Sequence, residues 1–252
     1  MSGHIHVVGL GPGDAAHVTP AASAALAQAG HLIGYGPYLA RVSARPGQVI
    51  HASDNRAEME RAHHALSLAA AGETVAIVSS GDAGIFAMAA TLFEAIETLG
   101  EAGQRVDVTV VPGVTAMVAA AARLGAPLGH DFCAISLSDN LKPWETILGR
   151  VRAAAEADFV LAFYNPISKA RLWQLGEILK LLRTIRAPRT PVIFATAISR
   201  PDEHVQVADL ANAEPKMADM RTLVIVGSSA SRCVPRGDDD VWIYTPRRAA
   251  AA

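Results

Sequence analysis

Two aspartates occupy positions where a carboxylate could do chemistry. Asp14 closes the stretch GLGPGD (9–14), and Asp82 lies within SSGDAGIF (79–86). Each stretch follows an apolar run that reads as a strand. In an open α/β sheet, ligands bind beyond the carboxyl ends of the strands. Two carboxylates facing each other there can leave one protonated at neutral pH and able to act as an acid. Tyr35, at the end of HLIGY (31–35), is a third group that could move a proton. The plainer alternatives are an Asx-type turn or cap for Asp14, and for Asp82 a cap on a helix that begins near Gly84.

The glycines of GLGPGD raise a different possibility. A dinucleotide site needs G-x-G-x-x-G between a strand and a helix. Here the third glycine is replaced by Asp14, and Pro12 sits inside the motif. A carboxylate beside a pyrophosphate works against the helix N-terminus that would bind it, which disfavours a nicotinamide or flavin site.

Three further small-residue loops follow apolar runs: VPGVTA (111–116), FYNPIS (163–168) and TAISRPDE (196–203). Five such loops at strand ends point to one shared ligand site, because small residues permit tight turns and close approach of backbone to ligand.

The elements that must hold these loops are legible as alternation. Strand candidates are HIHVVGL, HLIGY, TVAIVS, DVTVVP, FCAIS, FVLAFYN, PVIFAT, TLVIVGS and VWIYTP. Helix candidates are Thr19 to Ala29, Arg56 to Ala71, Gly84 to Thr98, Val114 to Leu124, Trp144 to Ala157 and Lys169 to Leu182. Such alternation predicts an α/β protein with mostly parallel sheets, and strands that are apolar throughout predict helices on both faces. The connector LGAPLGHD (124–131) divides two α/β domains, residues 1–125 and 126–246, with residues 247–252 as a frayed tail.

The chain is 51% hydrophobic and 18% charged, with a formal net charge of −2, so no global basic field points to nucleic acid or an anionic membrane. Two cysteines cannot ligate an iron–sulfur cluster or a cysteine-only zinc site. The nine histidines form no metal-ligand pattern; His63 and His64 are adjacent, diverge on a helix and read as solvated. No metal is expected. The apolar runs are too short to span a membrane and the N-terminus lacks a secretory pattern, which predicts a cytoplasmic protein.

Taken in order, GxGPGD, SSGDAGIF, PGVTA, FYNPxSxxR and the late TLVIVGSS resemble the tetrapyrrole methylase family over roughly residues 4 to 246. Its members transfer methyl from S-adenosylmethionine to porphyrinoid macrocycles, most of them on the route to vitamin B12. The resemblance implies two α/β domains with the active-site cleft between them, a homodimer, S-adenosylmethionine as cofactor and S-adenosylhomocysteine as product. LIGYGPYL (32–39), SDNLKPWETI (138–147) and FYNPISKAR (163–171) are most similar to the branch that methylates C17 of a precorrin and contracts its ring. Methylation at another carbon such as C11, and a non-catalytic tetrapyrrole carrier, stay open.

By the same resemblance, Gly81, Asp82, Ala83 and Ile85 form the main cofactor loop. Thr115, Ala116, Tyr164, Asn165, Ala197 and Gly227 complete the set. Pro12 and Gly13 lie near the macrocycle. Its carboxylates call for local cations, for which Lys142, Lys169, Arg171 and Arg200 are the candidates. The contraction implies that a C20 hydroxyl loses its proton as the skeleton migrates and a lactone opens, with Asp14, Asp82 or Tyr35 as acid or base. Hand-over of a labile product to neighbouring pathway enzymes is a further implication. One stretch, ATAISRPDEHV (195–205), departs from the asparagine- and glycine-containing loop of the family.

Overall fold

The protein is described from a computed structural model, and the described residues are 3–54, 56–237 and 240–248. The chain divides into two compact units, Met1–Thr115 and Ala116–Ala252. The division precedes the LGAPLGHD connector because the helix Ala116–Leu124 packs with strands of the second unit. Residues 249–252 of the expected tail lie outside the described residues.

The first unit holds β1 (His4–Gly9), α1 (Pro20–Gln28), β2 (His31–Tyr35), α2 (Gly36–Leu39), β3 (Val49–Ser53), α3 (Glu58–Ala70), β4 (Thr74–Ser79), α4 (Met88–Leu99), α5 (Glu101–Gln104) and β5 (Asp107–Val111). Its five strands are all parallel, in the order β3-β2-β4-β1-β5. Alternate residues face opposite ways along a strand. Ile5, Val7, Val75 and Ile77 therefore pack on α3 and α4, while Val8, Ala76 and Val78 pack on α1 and α2. With both faces covered, the central strands are apolar at nearly every position.

The second unit holds α6 (Ala116–Leu124), β6 (Gly125–Ala126), β7 (Phe132–Ser136), α7 (Trp144–Glu156), β8 (Val160–Tyr164), α8 (Gln174–Arg183), β9 (Pro191–Thr196), β10 (His204–Asp209), β11 (Thr222–Val226), β12 (Arg232–Arg236) and β13 (Asp240–Tyr244). Its main sheet runs β10-β9-β11-β8-β7, and a three-stranded sheet runs β12-β13-β6. Here the expectation of mostly parallel strands needs correction. Only the β7–β8 pair of the main sheet is parallel, and the β8–β11, β11–β9 and β9–β10 pairs are antiparallel. Parallel pairing needs a crossover, usually a helix, and the segments between β9, β10 and β11 carry no α-helix.

Two helices begin later than their sequence pattern suggests. α4 starts at Met88 and α8 at Gln174, so residues 84–87 and 169–173 belong to the preceding loops. Four further strands, β3, β6, β10 and β12, add to the nine expected. No helix among the described residues is long and apolar enough to cross a membrane.

Candidate active site

In the first unit the loops after β1, β4 and β5 meet through three glycines. A Cβ on Gly113 would lie 2.3 Å from the carbonyl oxygen of Gly81 and 2.7 Å from that of Gly9. Only a hydrogen fits there, and a Cβ on Gly9 would likewise lie 2.7 Å from the Gly81 carbonyl oxygen. Gly11 and Gly81 exchange two backbone hydrogen bonds, of 3.0 and 2.8 Å, in an isolated antiparallel bridge. Both adopt positive φ, +70° and +67°, where glycine is favoured.

Asp82 locks this junction. Its Oδ1 accepts the Gly84 N–H at 2.8 Å and its Oδ2 accepts the Gly113 N–H at 2.9 Å. The carboxylate makes an Asx-type turn and a cross-loop tie instead of capping α4, which starts well downstream. Ala83 is buried and Gly84 exposed, so one side of the loop packs while the other presents backbone to solvent. Ile85 is half-buried, and Phe86 is exposed with φ +51°. An L residue in that region is uncommon and is held there by its surroundings.

Asp14 does not share this environment. It is exposed and caps a short 3-10 turn (Ala15–His17), its Oδ1 accepting the Ala16 N–H at 2.7 Å. The burial that would suit a proton-sharing pair with Asp82 is therefore missing at Asp14. Pro12 is buried and Gly13 half-buried beside it. Tyr35 is half-buried at the end of β2, with its ring edge-on to Tyr38 at a centroid distance of 5.2 Å. Thr115 is buried and Ala116 half-buried where α6 begins.

In the second unit β7, β8 and β9 point the same way, so Ser136, Tyr164 and Thr196 end on one edge of the sheet. The Tyr164 hydroxyl accepts the Met117 N–H at 3.2 Å, which ties the first turn of α6 to the end of β8. Asn165 is exposed with φ +52°, a region asparagine tolerates, and its Nδ2 donates to Ser136 Oγ at 3.0 Å. Ala197 (φ +50°) and Ser199 (φ +65°) are left-handed without being glycine. The departure at ATAISRPDEHV thus falls on backbone that glycine or asparagine would adopt more cheaply. Glu203, paired with Arg123 at 2.8 Å, accepts the Ser199 N–H and holds this loop.

Gly227 does not join these residues. β11 runs antiparallel to β8 and β9, so its carboxyl end lies at their amino ends, where the Gly227 N–H donates to Pro191 O at 2.9 Å. A Cβ there would meet Ser231 at 2.7 Å, so the glycine serves packing.

The four cations separate in the same way. Arg171 turns inward, with Nη1 donating to Asn165 O at 3.3 Å and Nε 4.0 Å from Asp139 Oδ1. Lys169 is exposed and Arg200 half-buried. Lys142 is half-buried; burial first, then the Arg150 charge, push its ammonium below the usual lysine range.

Several residues tied to these loops escape the sequence reading. Arg41 donates to four oxygens in the loops after β1 and β4. Asp139 bridges Arg171 to the buried Gln174, whose Nε2 donates to it at 3.3 Å. A strand-end search extended past FCAIS covers Asp139, which lies in the loop after β7, whereas Arg41 lies beyond α2 and outside any strand-end loop. Separately, His64 bonds to His51 at 3.0 Å and His51 to His31 at 2.9 Å, so His64 is joined to a chain of imidazoles and not merely solvated.

Comparison with known proteins identifies the family. Residues 4–214 match the model of the tetrapyrrole (corrin/porphyrin) methylases. The chain is 55% identical, over 252 residues, to the precorrin-3B C(17)-methyltransferase of Sinorhizobium sp, with 100% of this chain and 99% of that protein covered. Among solved structures it is similar to the methyltransferase CobJ, with TM-score 0.93, 51% identity and coverage of 97% of this chain and 100% of that one. It is also similar to uroporphyrin-III C-methyltransferase from Thermus thermophilus complexed with S-adenyl homocysteine, with TM-score 0.67, 26% identity and coverage of 89% and 97%. On a family match over most of its length and full-length identity above one half, the chain belongs to the tetrapyrrole methylases.

Proposed function

We propose that the protein methylates precorrin-3B at C17, with contraction of the macrocycle to precorrin-4, in aerobic cobalamin biosynthesis. The observation that carries this reading is the 55% identity to a precorrin-3B C(17)-methyltransferase over the whole of both chains. The likeness to a structure holding S-adenyl homocysteine supports S-adenosylmethionine as the methyl donor.

The residues present suit that donor. The loop from Gly81 to Ile85 offers backbone outside any helix or strand, beside small side chains that let a ligand approach. Asn165 offers an exposed amide at the end of β8, and Tyr164 and Ala197 share that sheet edge. Thr115 and Ala116 lie between these two groups in the chain. S-adenosylmethionine supplies an already activated sulfonium methyl: its S–CH3 bond breaks as the bond to C17 forms, and S-adenosylhomocysteine leaves. The chain then has to orient the two reactants and exclude water.

Contraction asks more of the protein, because the C20 hydroxyl must lose a proton as the lactone opens. Asp82 has both carboxylate oxygens engaged by backbone and is assigned to positioning. Asp14, at the exposed end of the GPGD loop, is assigned the proton transfer, with Tyr35 the second candidate. Pro12 and Gly13 lie under the macrocycle. Lys142, Lys169 and Arg200 receive its carboxylates, and Arg171 steadies the loop that carries Asn165. The same reading has the protein act as a homodimer in the cytoplasm and pass its product to neighbouring pathway enzymes.

The test is anaerobic incubation with S-adenosylmethionine and precorrin-3B, followed by mass spectrometry. The expected product carries one added methyl group. A protein that binds the macrocycle without transferring methyl would be a carrier.

A further inference from the structure

Arg41 follows α2 and reaches back under two of the strand-end loops. Its Nη2 donates to the carbonyls of Leu10 (3.0 Å), Gly11 (2.9 Å) and Gly13 (3.1 Å), and its Nη1 donates to Ser80 Oγ (3.1 Å). Three carbonyl oxygens turned toward one point repel one another unless a donor sits among them. The nitrogen there has two hydrogens for three acceptors, so the bonds are shared. A guanidinium can serve this cluster and Ser80 at once because its donors form a rigid planar fork; an ammonium is a single point charge.

The two loops that Arg41 joins are also joined by the Gly11–Gly81 bridge. The Gly81 loop is tied in turn to Gly113 through Asp82. Besides the bridge, the Leu10 N–H donates to Ser79 O at 2.9 Å, and Arg41 adds a side-chain tie that reaches Leu10, Gly11, Gly13 and Ser80 together.

We propose that Arg41 is a positioning residue for the methyl transfer. It fuses the GPGD loop and the Gly81–Ile85 loop into one body, so that the macrocycle held by the first and the methyl donor held by the second meet at a fixed separation. This inference rests on the function proposed above. It assigns the role to a residue outside both ligand-contacting loops.

The test compares Arg41→Ala and Arg41→Lys with the unaltered protein in anaerobic methyl transfer to precorrin-3B, well below the melting temperature. Backbone amide exchange of the ligand-free protein is followed in parallel. Misplacement of about 1 Å is enough to lower kcat/KM by about 100-fold, and that loss is expected for Arg41→Ala. It should fall more on kcat than on the KM for S-adenosylmethionine, and millimolar guanidinium should partly reverse it. Arg41→Lys should fold and still lose about tenfold, because it cannot span both loops. Amide exchange at Gly11 and Gly81 should quicken in both variants.

A folded Arg41→Ala protein with full activity, or a loss that guanidinium does not relieve, would overturn the proposal. If Arg41→Ala does not fold, the lysine variant decides, and full activity there overturns it. If the unaltered protein transfers no methyl, the functional reading fails on its own. Amide exchange still decides whether Arg41 fuses the loops: unchanged exchange at Gly81 in the variants would show that it does not.

Discussion

Asp82 and Gly113, thirty-one residues apart, are joined by a 2.9 Å hydrogen bond from the glycine N–H to Oδ2. The bond closes the loop after β4 onto the loop after β5, while Oδ1 shapes the loop's own turn through Gly84. Asp82→Ala removes both acceptors and leaves a half-buried N–H unsatisfied. The expected loss is about 1–3 kcal/mol of stability, with weaker S-adenosylhomocysteine binding. Chemical denaturation and calorimetric titration of the variant check this. Asp82→Asn keeps the turn at Oδ1 but points an NH2 at the Gly113 N–H, so it should bind almost as poorly.

Gly113 and Gly149 should respond in opposite directions to alanine. At Gly113 the new Cβ meets two backbone carbonyl oxygens, at 2.3 and 2.7 Å, and neither can yield like a flexible side chain. Gly113→Ala should lose about 1–3 kcal/mol or more from overpacking. Gly149 lies within α7, and its Cβ would meet nothing within 4 Å. Gly149→Ala should gain about 0.5–1 kcal/mol from helix propensity. The two denaturation midpoints, measured side by side, check the pair.

Asn165 combines a left-handed backbone with a side-chain bond to Ser136, and two substitutions separate them. Asn165→Ala should lose about 1–2 kcal/mol through the disfavoured φ. Asn165→Gly relieves the backbone but removes the amide. If the amide contacts the methyl donor, both variants should raise the KM for S-adenosylmethionine while only the alanine variant melts markedly earlier. Equal KM values in all three proteins would remove Asn165 from the cofactor site.

His51 sits between His31 and His64, with Glu73 within 3.5 Å of His31 at the far end of the chain. Burial, then the His64 and His31 rings, push its pKa below the usual 6.5. The folded protein therefore holds fewer protons here than the unfolded chain once the pH falls below about 6.5. Stability from this group is fully present above that value and is lost as the pH falls through the lowered folded value. His6, lowered by burial and by His4, acts in the same direction. Denaturation midpoints should decline from about pH 7 to pH 5, and His51→Gln should make the decline shallower without abolishing it.

The sequence makes the buried framework legible because burial on both faces writes continuous apolar runs, as in β4, β8, β9 and β11, and all nine expected strands are present, the more exposed β5 and β13 included. What escapes it lies at edges. β10 (HVQVAD) alternates apolar and polar residues at the end of its sheet, β12 (RCVPR) is exposed and contains a proline, and β6 has two residues. Gly84 to Ala87 and Lys169 to Trp173 read as the first turns of helices because their composition is permissive. In the structure, the Asp82 turn and the Ser168–Arg171 bridge hold them as loop. The strand-end rule singles out loops that the structure brings together within each unit, but it assumes parallel strands, and Gly227 falls at the opposite edge because β11 reverses. Arg41 could not be found by type, since one arginine in a loop looks like any other until its acceptors are known.

Methyl transfer to C17 is tested most directly by carbon-13 NMR of the product formed from precorrin-3B and S-adenosylmethionine labelled in its methyl group. The expected result is a single labelled methyl on C17 of a macrocycle contracted by loss of C20 from the ring. A label on C11 or any other carbon, or a C17 label on an uncontracted ring, would contradict it.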